Sequence, residues 1–298
     1  MRAIVTGGLG FVGSHIVDRL VEMGATVLVI DNLSTGTQKN ENTEAKYIIK
    51  DLLKIENEIE DFSPDWVFHL AALSRIQPSF DDPLLHDDSN VRTSIHLLSK
   101  LEKTNCKALV YSSSSSCYGN PNEFPTTESA QISPLSPYAL QKYTSERYLH
   151  ILAEKAKLPV TSLRYFNIYG PRSFNISNPY NAYSSVVGIF QNQKNTSKPL
   201  TVTGSGAQKR DFIHVKDVVS ANIHVAENIH LTNGNCYNVG TGKAISILEL
   251  AQYFDHPLKF IPNRYGEAEI TWACIDKIKK IGWAPVFSLK ETILNGEA

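Results

Sequence analysis

The sequence predicts a doubly wound α/β protein built on a parallel sheet, followed by a smaller C-terminal α/β region. Three observations predict it. A short β-branched run, Arg2-Ala3-Ile4-Val5-Thr6, leads through Gly7, Gly10 and Gly13 into a helical repeat at Ile16, Val17, Leu20 and Val21. Further short apolar runs then alternate with helical patterns as far as Phe166. From Ser173 the composition shifts to Asn, Ser, Pro and Tyr, which suggests a more irregular second region.

The first strand, turn and helix make a phosphate cradle. Glycines permit the tight turn and let the backbone approach a pyrophosphate, which then sits on the free N–H groups and positive end of the helix. Phe11 and Val12 lie inside that turn. The next run, Thr26-Val27-Leu28-Val29-Ile30, ends at Asp31, placed where a carboxylate accepts both hydroxyls of an adenosine ribose. A carboxylate there repels a 2′-phosphate, and Asn32-Leu33-Ser34 supplies no cation to neutralise one, so NAD is favoured over NADP.

A polar loop follows from Ser34 to Glu44, then a third strand over Lys46 to Lys50. Asp51 next to it either reaches an adenine amino group or caps a helix from Leu52. After a short acidic helix, Trp66-Val67-Phe68-His69-Leu70-Ala71-Ala72 reads as a fourth strand and its end, whose small residues admit the cofactor. His69 reads as a packed histidine. Residues Asp81 to Asn90 read as a polar, acidic loop, and Val91, Ile95, Leu98 and Leu101 mark a helix from Asn90 to about Lys103. A fifth strand, Ala108-Leu109-Val110-Tyr111, runs into five serines, Ser112 to Ser116. Ligands bind outside the carboxyl ends of such strands, so the serines are expected to wall a pocket.

Pro134 and Pro137 break the chain, and a helix starts at Tyr138 with Lys142 four residues on, sharing one face. A neighbouring ammonium and a positive nicotinamide ring would favour the phenolate, bringing it down from about 10 towards neutrality. A sixth strand spans Val160 to Phe166 and runs into Asn167. Beyond it come strands at Thr201–Thr203 and Arg210–Val215, a helix opened by Asp217, and a capping box, Ser246-x-x-Glu249.

Composition narrows the classes. The chain has 298 residues, 29 basic against 30 acidic. No basic stripe stands out, so nucleic acid is not an expected partner. Four cysteines (Cys106, Cys117, Cys236, Cys274) form no C-x-x-C pair, which fits reduced thiols in a cytoplasm and no structural metal. No signal-peptide pattern and no long apolar run are present, so no membrane partner is expected.

Taken in order, TGGLGFVGSH, DNLSTG, HLAA, Asn90, YSSSSSCYG, YALQK, LRYFNIYGPR, GSGAQKRDFIHVKDVV, NVGTG and Gly282-Trp283 resemble the extended short-chain dehydrogenase/reductases, and within them the nucleotide-sugar epimerases and dehydratases. The resemblance covers nearly the whole chain. It implies an NAD-binding Rossmann domain over 1–166 and 210–236, and a nucleotide-sugar domain over 167–209 and 237–298.

By that resemblance Gly7, Gly10 and Gly13 with Phe11 and Val12 hold the NAD pyrophosphate, and Asp31, Asn32 and Ser34 the adenosine ribose. Asp51 and Leu52 flank adenine, and Leu70, Ala71, Ala72, Asn90, Ser112 and Phe166 line the rest of the cofactor. Ser114, Tyr138 and Lys142 match the catalytic set. Asn167, Arg210, Arg264 and Thr271 match the groups around a UDP-sugar, Thr271 standing at a gate against the C2 substituent. The family's dehydratases carry an acid where this chain has Ser115 and Ser116, which disfavours elimination. Two departures stand out: Arg264-Tyr265-Gly266-Glu267 replaces Arg-Pro-Gly-Asp, and Cys274 replaces an Asp. The implied activity is 4-epimerisation of a UDP-hexose, UDP-glucose/UDP-galactose first and the N-acetylated pair also admitted. Another sugar-nucleotide enzyme of the family, or a non-catalytic NAD-binding relative, is the alternative. The resemblance further implies a homodimer through the helices from Asn90 and Tyr138, with Leu149 and Leu152 adding apolar surface.

Overall fold

A computed structural model describes residues 1–175 and 185–296. The stretch rich in Asn, Ser, Pro and Tyr after Ser173 falls largely outside them. The chain opens with β1 (Arg2–Thr6), α1 (Phe11–Glu22), β2 (Thr26–Asp31), β3 (Lys46–Ile49), α2 (Glu58–Phe62) and β4 (Trp66–His69). There follow α3 (Ile76–Asp81), α4 (Pro83–Asp87), α5 (Thr93–Leu101), β5 (Ala108–Ser114), α6 (Pro137–Ala156) and β6 (Val160–Tyr165). The second half contributes β7 (Asn167–Tyr169), α7 (Val186–Asn195), β8 (Leu200–Thr203), β9 (Lys209–His214), α8 (Val215–Glu227), α9 (Ile229–Thr232) and β10 (Cys236–Val239). It ends with β11 (Ala244–Ser246), α10 (Ile247–Phe254), β12 (Leu258–Ile261), β13 (Ile270–Thr271), α11 (Asp276–Lys279) and α12 (Leu289–Leu294).

Seven parallel strands form the main sheet in the order β10-β6-β5-β4-β1-β2-β3. The chain winds outward from β1 to β3 and then restarts on the other side of β1 at β4. The ends of β1 and β4 are therefore the switch point, where a crevice opens. Both faces are buried, which is why the strands read as continuous apolar runs. Val5, Val29, Phe68 and Val110 pack against Ile16 and Leu20 of α1 and Val218 and Val225 of α8. Their neighbours Ile4, Leu28, Val67 and Leu109 pack against Leu97 and Leu101 of α5 and Leu149 and Ala153 of α6.

A smaller sheet has β9 at its centre, with β7 and β13 parallel to it and β11 antiparallel, and β8 pairs with β12 beside it. Tyr169, Phe190, Val202, Phe212, Leu250 and Phe254 form its core. Two domain boundaries drawn at 210 and 236 shift in consequence. β9 belongs to the smaller sheet, whereas β10 closes the large one beside β6.

Other local readings are corrected. Asp81 to Asn90 is helical: Pro83 opens α4, and Asp82 caps it by accepting from the Leu85 N–H at 3.0 Å. Asp88–Arg92 is a π turn carrying a buried Asn90. The helix expected from Asp217 begins at Val215, capped by His214 Nδ1 on the Lys216 N–H, while the buried Asp217 carboxylate accepts from Val286 and Phe287 N–H. Leu149 offers no free surface, being fully buried against the sheet, and Leu152 packs at its edge. The exposed apolar side chains of α6 are Leu140, Tyr148 and Ile151. Ser246 and Glu249 close a capping box at α10 as the pattern suggests.

No helix among the described residues is long and apolar enough to cross a membrane.

Candidate active site

Gly7 adopts φ of +71°, and a Cβ on it would lie 2.8 Å from the Ala71 nitrogen at the end of β4. A Cβ on Gly13 would strike the Gly7 carbonyl oxygen. The glycines therefore bring β1, β4 and the first turn of α1 together. Gly10 caps α1 without a side chain, so the N–H groups of that turn remain for an anion.

Asp31 stands at the next strand end, buried. Its Oδ2 accepts from the Leu9 N–H at 3.0 Å and its Oδ1 from the Leu33 N–H at 2.8 Å. Burial pushes its carboxyl pKa up, and these two bonds pull it back. Two of the lining cations, Lys50 and Arg172, are engaged with Glu58 and with Asp18, each at 2.8 Å. Asn32 Nδ2 donates to Asp51 Oδ2 at 3.3 Å, and the Ser34 N–H to Asn32 Oδ1 at 3.0 Å. Asp51 Oδ1 caps the turn Leu52–Lys54 by accepting from the Leu53 N–H. The residue caps and lines the crevice at once, so its two readings do not exclude one another.

The crevice is a cavity of about 480 Å³ that runs from Asp31, Asp51 and Leu52 past Leu70, Ala71 and Ala72 to Ser112, Ser114, Tyr138 and Phe166. Beyond these it continues to Asn167, Arg210, Arg264 and Thr271. Two cofactor candidates are not on the wall, Asn90 and the buried Lys142. Asn90 is buried behind it, where Oδ1 accepts from the Leu73 N–H at 2.8 Å and Nδ2 donates to Leu73 O and Gln141 Oε1. It fixes the loop after β4 to α6. His69 is likewise internal, bridging Thr6 Oγ1 and Ser94 Oγ at 2.8 and 2.9 Å.

Tyr138 sits in the first turn of α6, set by Ser136, whose Oγ accepts from the Ala139 N–H at 3.2 Å. The serine run divides by strand alternation. Ser113 points inward and donates to Glu146 at 2.6 Å, whereas Ser112 and Ser114 face the cavity. Ser114 Oγ lies 2.8 Å from Ser116 Oγ, and Ser114 lines the cavity together with Tyr138. Lys142 is buried one turn along α6, with Nζ 4.6 Å from the centre of the Tyr111 ring. Burial drives its pKa down to about 7, opposed by the Glu146 charge. The expected lowering at Tyr138 is not what the protein alone gives. Burial raises its pKa, while the Ser114 hydrogen bond and the Arg75 charge lower it. Arg75, rather than Lys142, is thus the protein cation acting on the phenol, and nothing in sequence spacing marked it.

At the far end, Glu267 holds both arginines, Arg210 at 3.5 Å and Arg264 at 3.8 Å. Arg210 also donates to Lys209 O and Glu269 O. Asn167 Nδ2 donates to Asp211 O and Thr271 Oγ1, leaving its Oδ1 as the group it can offer. Neither aromatic neighbour fills the space beside Thr271. Tyr265 is 79% exposed against Phe80, and Trp272 donates away to Gly242 O. Sequence reasoning missed buried Asp211, whose carboxylate takes N–H groups of Thr241, Gly242 and Ala273 and so joins the loop after β10 to the strand bearing Thr271. Among the described residues no group of acids, histidines and cysteines could hold a metal.

A glycine cradle, an acid at the second strand end and a Ser–Tyr–Lys set at the sheet's carboxyl edge define a dinucleotide-dependent enzyme of the dehydrogenase type. The model of the NAD dependent epimerase/dehydratase family matches residues 3–240, and this chain belongs to that family. Its cofactor is NAD. A UDP-glucose 4-epimerase of Lactobacillus helveticus is 31% identical over 304 residues, covering 96% of this chain and 92% of the relative. A UDP-glucose 4-epimerase of Thermotoga maritima, solved with UDP-glucose, is 34% identical with TM-score 0.91, over 99% of this chain and 96% of that one. A UDP-N-acetylglucosamine 4-epimerase of Methanobrevibacter ruminantium, solved with UDP-N-acetylmuramic acid, is 35% identical with TM-score 0.91 over the same shares.

Proposed function

We propose that this chain is an isomerase that interconverts the C4 epimers of a UDP-hexose, with UDP-glucose and UDP-galactose as one pair and the N-acetylated pair also admitted. The observation that carries this reading is the placement of Ser114 and Tyr138 together on the wall at the middle of the cavity, with no carboxylate beside them among the described residues. The carboxylates on the described wall are Asp31, Asp51 and Glu267, at its two ends. Elimination of water needs a further acid/base pair beside the group at the 4-hydroxyl, whereas epimerisation needs only the latter.

The cradle at Gly7, Gly10 and Gly13 fits a pyrophosphate and Asp31 an unphosphorylated ribose. When bound, NAD supplies the hydride acceptor and donor for C4, so the sugar passes through a 4-keto form and the cofactor ends unchanged. Tyr138 takes the proton of the 4-hydroxyl and returns it, and Ser114 holds the same oxygen. Lys142 orients the nicotinamide ribose, and Arg75 supplies the positive charge that acts on the phenol. Arg210 and Arg264 grip the diphosphate through their forks and let the sugar turn about that tether. Their shared Glu267 keeps both guanidinium groups at one end.

Two further parts of the reading concern the whole molecule. The enzyme works in the cytoplasm, supported by four free cysteines with no pairing. It is a homodimer, supported by the exposed stripe Leu140, Tyr148 and Ile151 on α6. Sedimentation at micromolar concentration should give twice the chain mass, and a monomer there removes the dimer. For the activity, incubation with UDP-glucose or UDP-galactose should give the other epimer without net NADH. Accumulation of NADH, or of a dehydrated sugar, points instead to another reaction of the family.

A further inference from the structure

Five cations line the described wall of the cavity, and four of them have carboxylate partners. Lys50 has Glu58, Arg172 has Asp18, and Arg210 and Arg264 share Glu267. The fifth, Arg75, is half-buried, and among the described residues its guanidinium has neither a hydrogen bond nor an ion pair. The one ionisable group that acts on it is the Tyr138 phenol. A charge held out of water without a partner is unfavourable, and such groups are retained where an anion completes them.

The segment that carries Arg75 is fixed on three sides. Before it, Leu73 is clamped by Asn90 through both its N–H and its carbonyl. After it, Ser79 Oγ accepts from the Tyr138 N–H at 3.1 Å, and Gln77 Nε2 donates to Tyr265 O at 2.7 Å. Arg75 therefore stands at a set place between the reacting hydroxyl and the loop of Arg264. The diphosphate has its own arginines at the other end, so the anion Arg75 awaits lies on the sugar near C4. On a hexose whose C6 is a carboxylate, that acid is borne by C5, the ring neighbour of C4.

We propose that Arg75 is a carboxylate receptor at the sugar end of the cavity, and that the preferred substrates are UDP-hexuronic acids. The proposal rests on the UDP-hexose reading and names the sugar class within it. Plain hexoses then turn over with a lower kcat/KM.

The test is titration of the NAD-loaded protein with UDP-glucuronate and with UDP-glucose, together with turnover of each. Wild type should favour the acid roughly ten- to hundredfold in Kd, the range of a charge-assisted hydrogen-bonded pair. Arg75→Ala should erase that preference and Arg75→Lys restore part of it, with NAD affinity the same in all three. Losses common to both substrates cancel in the ratio. Equal affinity of wild type for the two nucleotides overturns the proposal. So does an Arg75→Ala variant that loses both equally, which makes Arg75 a partner of the phenolate alone, or one that loses NAD, which makes it a cofactor contact. Wild-type binding keeps the test decisive should Arg75→Ala not fold. Interconversion of UDP-glucose and UDP-galactose without any preference for the acid defeats this inference and leaves the epimerase standing. Tight acid binding with no epimerisation does the reverse.

Discussion

Asn167 Nδ2 donates to Thr271 Oγ1 across 2.8 Å, tying β7 to β13 at the far end of the cavity. The bond holds a small side chain at the wall, with the Tyr265 and Trp272 rings turned elsewhere. On the proposed reading, room for an acetamido group at C2 depends on this residue and its orientation. Thr271→Tyr should abolish conversion of UDP-N-acetylglucosamine and spare the plain hexoses, read by assaying both pairs. No turnover of the N-acetylated pair by wild type defeats the gate.

Tyr138→Phe should keep the fold and NAD binding and lower turnover by roughly 10²–10⁴-fold, since the phenol proposed to take the 4-hydroxyl proton is gone. A variant with more than about a tenth of wild-type kcat would assign the proton to another group.

Glu146 receives Arg164 twice, Nη2 to Oε1 at 2.6 Å and Nε to Oε2 at 3.1 Å, and Ser113 donates to the same carboxylate. Both charges are almost fully buried. Glu146→Gln leaves a guanidinium without its partner and should cost about 3–5 kcal/mol of stability in denaturant unfolding. It should also weaken the hold on charged Lys142, moving that pKa further down from about 7. A loss under about 1 kcal/mol, with an unchanged pH profile, contradicts both.

His69 is held neutral, with its pKa pushed to about 3 by burial and then by the Lys142 charge. Between its ordinary value of 6.5 and about 3 the unfolded chain binds a proton that the folded one does not. Stability should therefore fall as pH drops through that window, by up to about 1.4 kcal/mol per pH unit from this residue. Melting of wild type and His69→Gln at pH 7 and pH 5 separates its share from that of other groups. A wild-type loss no larger than the variant's removes His69 as the cause.

What the sequence determined by itself is local and periodic. The cradle, Asp31, the run of short apolar strands and the Tyr138–Lys142 face were all readable, because a glycine turn, a buried parallel strand and an i, i+4 pair each leave a pattern within a few residues. Where polar and acidic side chains suggested a loop, at 81–90, tertiary packing made helix, since Pro83 and Asp82 supply a start and Asn90 and His86 are buried. Only the folded chain decided that Asn90 stands behind the wall rather than on it, because its partners Leu73 and Gln141 are 17 and 51 residues away. The same holds for β9, which left one sheet for the other through pairing with β7 and β13. Arg75 shows the limit most plainly. An arginine without a motif carries no signal in the chain, and its meaning comes from the carboxylates that surround every other lining cation and stop short of it.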